Sequence, residues 1–198
     1  MSGGSDPTIS VYDAQAHAYA RRNATLYELP DAEAFAAMVP PGGKILDLGC
    51  GPGQYAAWYA SKGFEVEAWD ASSEMVALSA RHEGLKARQA RYEDLAATQE
   101  FDGIWANFSL LHAPRTALPD LLARIHRALK PGAVFHIAMK LGEGGGPDKL
   151  DRFYSYYSEA ELRGLLEAAG LTVLSRRLFS GEGLDGTAGA YITLLCHG

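Results

Sequence analysis

Cysteine is scarce in this chain, which carries Cys50 and Cys196 among 198 residues. Two cysteines are too few for a disulfide scaffold and are not spaced like a zinc site, so a reduced, cytoplasmic setting is expected. Positive charge is also short, with 18 Lys and Arg against 24 Asp and Glu and a formal net charge of -6. Gripping DNA along a long phosphate footprint needs clustered Lys and Arg, so DNA is not expected as a partner, although local basic patches stay open. No apolar run reaches the ~18 to 20 residues that span a bilayer, so no membrane association is expected. Met1 to Thr8 lacks the basic start and apolar stretch of a signal peptide and reads as a flexible tail. His17, His82, His126, His136 and His197 show no metal-like spacing with acids or cysteines, so no metal is expected. Internal repeats are absent, and the one biased inner stretch, Gly142 to Pro147, reads as a loop.

What is present is an ordinary globular composition, 47% apolar and 21% charged, in a length that suits one domain. Short β-rich runs alternate with helical patterns, which argues for a parallel sheet with crossover helices. Strands are expected at Lys44 to Leu48, Phe64 to Trp69, Leu85 to Ala90, Phe101 to Ala106 and Ala133 to Met139. Between them, Gln54 to Lys62 reads as a helix closed by Gly63, and Ser72 or Ser73 can cap another that runs to about His82. Leu121, Leu122, Ile125, Ala128 and Leu129 share a helical face that Lys130-Pro131-Gly132 should end. Ser158 with Glu161 forms a capping box ahead of the stripe Leu162, Leu165, Leu166 and Ala169. Two runs without a helix between them, Leu171 to Phe179 and Ala190 to Cys196, should pair antiparallel at one edge. Tyr12 to Asn23 and Asp31 to Val39 are Ala-rich helical segments placed to cover the ligand end of the sheet.

The most informative segment is Ile45-Leu46-Asp47-Leu48-Gly49-Cys50-Gly51-Pro52-Gly53-Gln54, an apolar strand that runs into glycines and then a helix. Glycines let backbone approach a ligand closely, and in open α/β sheets ligands bind beyond the C-terminal strand ends. Asp70 ends the next strand, about 20 residues on, where a carboxylate can accept from both ribose hydroxyls of a nucleoside. A dinucleotide fingerprint wants a third glycine where Gln54 stands, and it does not want Asp47 just ahead of the loop. A carboxylate there suits a cofactor with a positively charged amino-acid end, because near a pyrophosphate it would be repulsive. S-adenosylmethionine has that end. A tight turn with no ligand is the bland alternative for the glycines alone.

With Leu-Asp-Leu-Gly-Cys-Gly-Pro-Gly at positions 46 to 53, Asp70, Phe101-Asp102, His112 and Leu129-Lys130-Pro131-Gly132 in order, the chain resembles the class I S-adenosylmethionine-dependent methyltransferases. The likeness covers roughly residues 40 to 140 and, through the closing hairpin, the end of the chain. It implies an α/β, Rossmann-like, doubly wound sheet of seven strands in the order 3-2-1-4-5-7-6, with strand 7 antiparallel and helices on both faces. Residues 1–198 would form one methyltransferase domain: a tail over 1–8, a helical lid over 9–40 and the core over 41–198. The cofactor would be S-adenosylmethionine, left as S-adenosylhomocysteine after transfer. Gly49, Cys50 and Gly51 would contact its methionine part through backbone, Asp47 would orient its amine, Asp70 would take the ribose, and Ala71 would be a further cofactor contact. Met75 would pack on adenine. Where many relatives carry Gly-Asp after the third strand, this chain has Ala90-Arg91-Tyr92-Glu93, so backbone of Arg91 and Tyr92 would have to serve. Asn107 would face the place of methyl transfer.

Methyl transfer needs an in-line approach, so positioning can supply most of the rate and a general base is optional. His112 is the candidate base, against the alternative of a histidine bonded to backbone. Tyr12 and Tyr19 lie seven positions apart on one face and read as a lid, Tyr19 toward the cofactor and Tyr12 toward the substrate, or else as packing. Tyr156 and Tyr157, in the aromatic run from Phe153, are further substrate candidates or core filler. After the fourth strand Asn107-Phe108-Ser109-Leu110 lacks the Pro-Pro motif of amino-methylating DNA enzymes, so a small-molecule acceptor is expected. An RNA or protein acceptor, or a regulator that binds the cofactor without catalysis, stays open. The oligomeric state is not readable.

Overall fold

A computed structural model describes residues 6–23, 25 and 29–198. The chain begins with two helices, α1 (Pro7–Arg22) and α2 (Leu29–Ala36), and then alternates strand and helix: β1 (Lys44–Leu48), α3 (Gln54–Ser61), β2 (Glu65–Asp70), α4 (Ser73–Ser79), β3 (Lys86–Gln89), β4 (Phe101–Asn107), α5 (Leu118–Ala128) and β5 (Leu129–Lys140). A short hairpin of β6 (Gly145–Pro147) and β7 (Phe153–Ser155) follows, then α6 (Glu159–Ala168), β8 (Thr172–Glu182) and β9 (Ala188–His197).

Seven strands form one sheet in the order β3-β2-β1-β4-β5-β9-β8. The first five run parallel, and β9 is antiparallel to both of its neighbours. With the β6–β7 hairpin standing apart, this is the expected order 3-2-1-4-5-7-6. Strand alternation divides the core between the two faces. Leu46, Leu48, Phe135, Ile137, Met139, Ile192 and Leu194 join α5 and α6 on one side. Ile45, Trp105 and Val134 pack with Phe35 of α2 and with Tyr55 and Tyr59 of α3 on the other. Each fully buried Leu, Ile or Phe contributes ~1.5 to 3 kcal/mol, so the sheet holds its strand ends rigidly.

Three of the differences from the expected boundaries have a plain physical cause. Residues 6–8 are not tail: Asp6 caps α1 by accepting from the Thr8 amide at 2.9 Å, and Thr8 is buried. Lys130-Pro131-Gly132 does not break β5 but forms an irregularity within it, because Leu129 already pairs with Phe101 before Val134 pairs with Gly103. Gly142 to Pro147 is not all loop, since its last three residues pair with β7 as β6. The Ser158–Glu161 capping box starts α6 as expected. Among the described residues no helix is long and apolar enough to cross a membrane.

Candidate active site

The turn after β1 is built by backbone. Gly49, Gly51 and Gly53 all have positive φ, and a Cβ on Gly49 would stand 2.2 Å from the Ser109 Cβ, so a side chain there has no room. The amides of Gly49 and Cys50 both donate to the Trp69 carbonyl, at 2.8 and 2.9 Å, which locks the turn onto the end of β2. Asp70 completes the lock by accepting from the Gly51 amide at 2.8 Å with one oxygen and from the Ser72 amide at 2.9 Å with the other. A carboxylate oxygen has lone pairs to spare after one such bond, so Asp70 still offers acceptors to the cavity it lines.

Asp47 does not line that cavity. Strand alternation turns it onto the face covered by α3, where it takes a backbone hydrogen bond from Ala56. Gly53, the N-cap of α3, has no side chain to cap with, so the strand carboxylate performs that role. Its Oδ2 has no partner among the described residues, and burial, reinforced by the charge of Asp70, pushes the carboxyl up to about 8. Asp70 is also raised, by burial first. No Lys or Arg among the described residues pairs with either acid. Two desolvated carboxylates without a cation, one below and one beside a glycine cradle, fit a nucleoside cofactor that brings positive charge.

A cavity opens over this floor at the C-terminal ends of β1, β2 and β4. Tyr19, Gly49, Gly51, Asp70, Ala71, Met75, Arg91, Tyr92 and Asn107 all line it, as do Tyr12 and His112. Cys50 does not, because its Sγ turns toward the Gly51 carbonyl and Ser79. Tyr92 is held by donating to the Ser109 carbonyl at 2.8 Å, and Asn107 Oδ1 sits 3.1 Å from His136 Nε2. Phe108, at φ 54, projects into the same space. A non-glycine residue in that region costs about 1 to 3 kcal/mol and is held by its surroundings.

Both ring nitrogens of His112 are hydrogen-bonded in this arrangement. Its Nδ1 lies 2.6 Å from the Phe153 carbonyl, which can only accept, so Nδ1 carries the proton. Nε2 therefore accepts from the Tyr12 hydroxyl at 2.9 Å, and the Tyr12 oxygen accepts from Arg152 Nη1 at 3.1 Å. Arg152 is itself buried and paired with Asp148. Desolvation, with the charges of Arg152 and Lys140 adding to it, brings His112 down to about 4, so the ring is neutral at working pH. This relay ties α1 to β7, and the Thr8 hydroxyl, accepting from the Phe153 amide at 2.9 Å, adds a second tie.

Beyond Tyr12, Tyr19 and Phe108, which line both spaces, a second cavity of about 460 Å³ opens toward β8 and β9. Its other walls include Lys140, Arg152, Tyr154, Phe179 and Tyr191; of these the sequence pointed to Tyr154, in the aromatic run from Phe153, and not to the other four. Tyr156 and Tyr157 line neither cavity. Tyr156 stacks behind Tyr154 at 6.2 Å, and Tyr157 is buried under the Arg115 guanidinium, 4.3 Å from its ring. Tyr154, at the middle of β7, is the tyrosine of the run that faces the cavity, while Phe153 and Ser155 on either side of it turn the other way.

A family profile described as a methyltransferase domain matches residues 17–176. An uncharacterised methyltransferase of Synechocystis sp. is 28% identical over 164 residues, covering 74% of this chain and 75% of the relative. A methyltransferase of Streptomyces halstedii is 35% identical over 143 residues, 67% of this chain and 48% of the relative, so this chain spans about half of that protein's length. The solved structure of 1,6-didemethyltoxoflavin-N1-methyltransferase from Burkholderia thailandensis, with 1,6-didemethyltoxoflavin and S-adenosylhomocysteine bound, matches with a TM-score of 0.76 at 25% identity, over 96% of this chain and 87% of that one. With the profile covering most of the chain, and with the glycine turn, the acid at the end of β2 and the strand order all in place, this chain belongs to the class I S-adenosylmethionine-dependent methyltransferases.

Proposed function

We propose that this chain methylates a small-molecule acceptor seated in the second cavity, and that it works in the cytoplasm, where buried free thiols such as Cys50 and Cys196 stay reduced. The observation that carries the reading is the shared wall: Tyr12, Tyr19 and Phe108 line both cavities, so a cofactor over the glycine turn and an acceptor beyond Phe108 would meet there. The cofactor, when bound, supplies an electrophilic methyl group. The residues of the chain do the positioning. Asp70 accepts from the ribose, Gly49 and Gly51 leave room for close backbone approach, and Met75 with Tyr92 walls the adenine side. Tyr12, fixed by His112 and Arg152, keeps the boundary between the two cavities in one geometry, and such alignment can account for much of the rate in an in-line transfer. A cavity of about 460 Å³ is in the usual range for a metabolite. The Burkholderia methyltransferase, solved with 1,6-didemethyltoxoflavin bound, supports a small acceptor by analogy.

The test is incubation with methyl-labelled S-adenosylmethionine and a metabolite extract, read by mass spectrometry. Labelled small molecules are expected. Labelling of bulk tRNA, DNA or protein with none in the metabolite pool would overturn the acceptor class. Tight cofactor binding without any labelled product would make the chain a cofactor-binding regulator.

A further inference from the structure

Resting on that reading, we propose that the second cavity selects a flat, conjugated organic anion, with its ring against Phe179 and Tyr191 and its charge facing the Lys140 ammonium. Sheet register assembles this site. Lys140 on β5 stands opposite Tyr191 on β9, and Tyr191 stands opposite Phe179 on β8, so three neighbouring strands present one row of side chains on one face at the ligand end. The rings of Phe179 and Tyr191 stack at 5.4 Å and 22°, and Phe108 meets them edge-on at 6.3 and 5.5 Å. Such a wall suits a planar ligand.

Aromatic walls alone also attract cations, so the sign of the ligand has to come from the charges around them. In a chain of net charge -6, this cavity gathers Arg22, Lys140, Arg152 and Arg177, against Glu182 as the one acid in its lining among the described residues. Three of the cations are already engaged. Arg22 donates to the carbonyls of Glu182, Gly183 and Leu184, Arg152 pairs with Asp148, and Arg177 pairs with Asp31. Lys140 differs: it has no hydrogen bond or ion pair with any described residue, and its ammonium lies 4.1 Å from the centre of the Tyr154 ring and 5.9 Å from that of Tyr191. Asp185 lies nearby but beyond ion-pair distance, and its carboxylate is occupied by the amide and hydroxyl of Thr187 at 3.0 and 2.8 Å. An ammonium left half-desolvated among rings favours an anion there and repels a cation. A conjugated carboxylate or phenolate satisfies the ring wall and the charge together.

Calorimetry on the protein loaded with S-adenosylhomocysteine, with para-hydroxybenzoate, its neutral amide and para-hydroxybenzylamine as probes, reads this selection directly. The carboxylate is expected to bind about tenfold or more tighter than the amide, with the amine weakest. In Lys140→Gln that preference should shrink to about twofold while affinity for S-adenosylhomocysteine holds, and Lys140→Arg should recover part of it. Equal affinity for acid and amide, preference for the amine, or an unchanged preference in Lys140→Gln overturns the assignment. So does failure of para-hydroxybenzoate, para-hydroxycinnamate and hydroxynaphthoate all to bind at millimolar concentration. Loss of S-adenosylhomocysteine binding by the wild-type chain would instead count against the cofactor site, so the two readings fail separately.

Discussion

Asp70 holds the Gly51 and Ser72 amides as well as facing the cavity, so its removal acts on both the loop and the ligand. Asp70→Asn keeps one acceptor and the shape, and is expected to weaken S-adenosylmethionine binding by roughly 1.5 to 3 kcal/mol, the range for loss of a charged hydrogen-bond partner. Titration calorimetry with a circular dichroism control checks this, and an unchanged affinity would remove Asp70 from the ribose site. Asp47 and His112 give the cofactor-free protein a pH dependence of two opposite signs. The Asp47 carboxyl, raised to about 8, keeps a proton in the folded chain that the unfolded chain releases above about pH 4, so stability falls as pH rises between those values. His112, lowered to about 4 from an ordinary value near 6.5, stays neutral while the unfolded chain takes a proton, so stability is lost as pH falls from about 6.5 toward 4. A bound cofactor with positive charge should draw Asp47 back into its ionised form. Binding below pH 8 is therefore expected to release a proton, measured by calorimetry in buffers of different ionisation enthalpy, and Asp47→Asn should abolish the release. Equal proton release in that variant would assign it to another group.

Helix α1 is the element on which both cavities depend. Asp13 accepts from the Ser72 hydroxyl at 2.6 Å, Gln54 reaches the Asn23 carbonyl at 3.2 Å, and Tyr12 and Thr8 bind the β7 side. His112→Ala removes the acceptor of the Tyr12 hydroxyl and is expected to cost cofactor affinity about fivefold, near the 1 kcal/mol of one hydrogen bond. The pH profile of kcat should keep its shape. Loss of the acidic limb of that profile, the low-pH fall that a catalytic base produces, would instead identify His112 as that base. The strands and the glycine turn were legible in the sequence because they are local signals, apolar runs and glycines after a strand, while the strand order came from the family resemblance. Asp47 shows the limit of such reading. Its type and position were visible, yet the face it takes depends on which side α3 covers. The second cavity was hidden for a related reason. Lys140, Phe179 and Tyr191 are far apart in the chain and meet only through the register of β5, β9 and β8, which no local pattern encodes.

At the scale of the molecule, α1 bridges the two halves of the sheet. Asp6 at its start lies 3.8 Å from Arg91 after β3, and Arg22 at its end clamps the turn between β8 and β9 through three carbonyls. A ligand in either cavity therefore rests against the same helix, and ordering that helix for one ligand lowers what the second must spend to order it. Positive coupling follows, and linkage makes it reciprocal: the factor by which S-adenosylhomocysteine tightens an acceptor-side probe must equal the factor by which the probe tightens S-adenosylhomocysteine. A coupling of about fivefold, or 1 kcal/mol, is expected from the lower end of the usual range, because α1 is already held by several hydrogen bonds before either ligand arrives. Arg22→Ala frees the end of the helix on the β8–β9 side without touching the glycine turn, so it should reduce the coupling while each ligand alone loses less. Calorimetric titration of each ligand in the presence and absence of the other measures both factors, and hydrogen exchange over residues 7–22 reports whether the helix is the element that tightens. Independent binding of the two ligands, with no added protection in α1, would mean that the helix is a rigid wall and not a coupler.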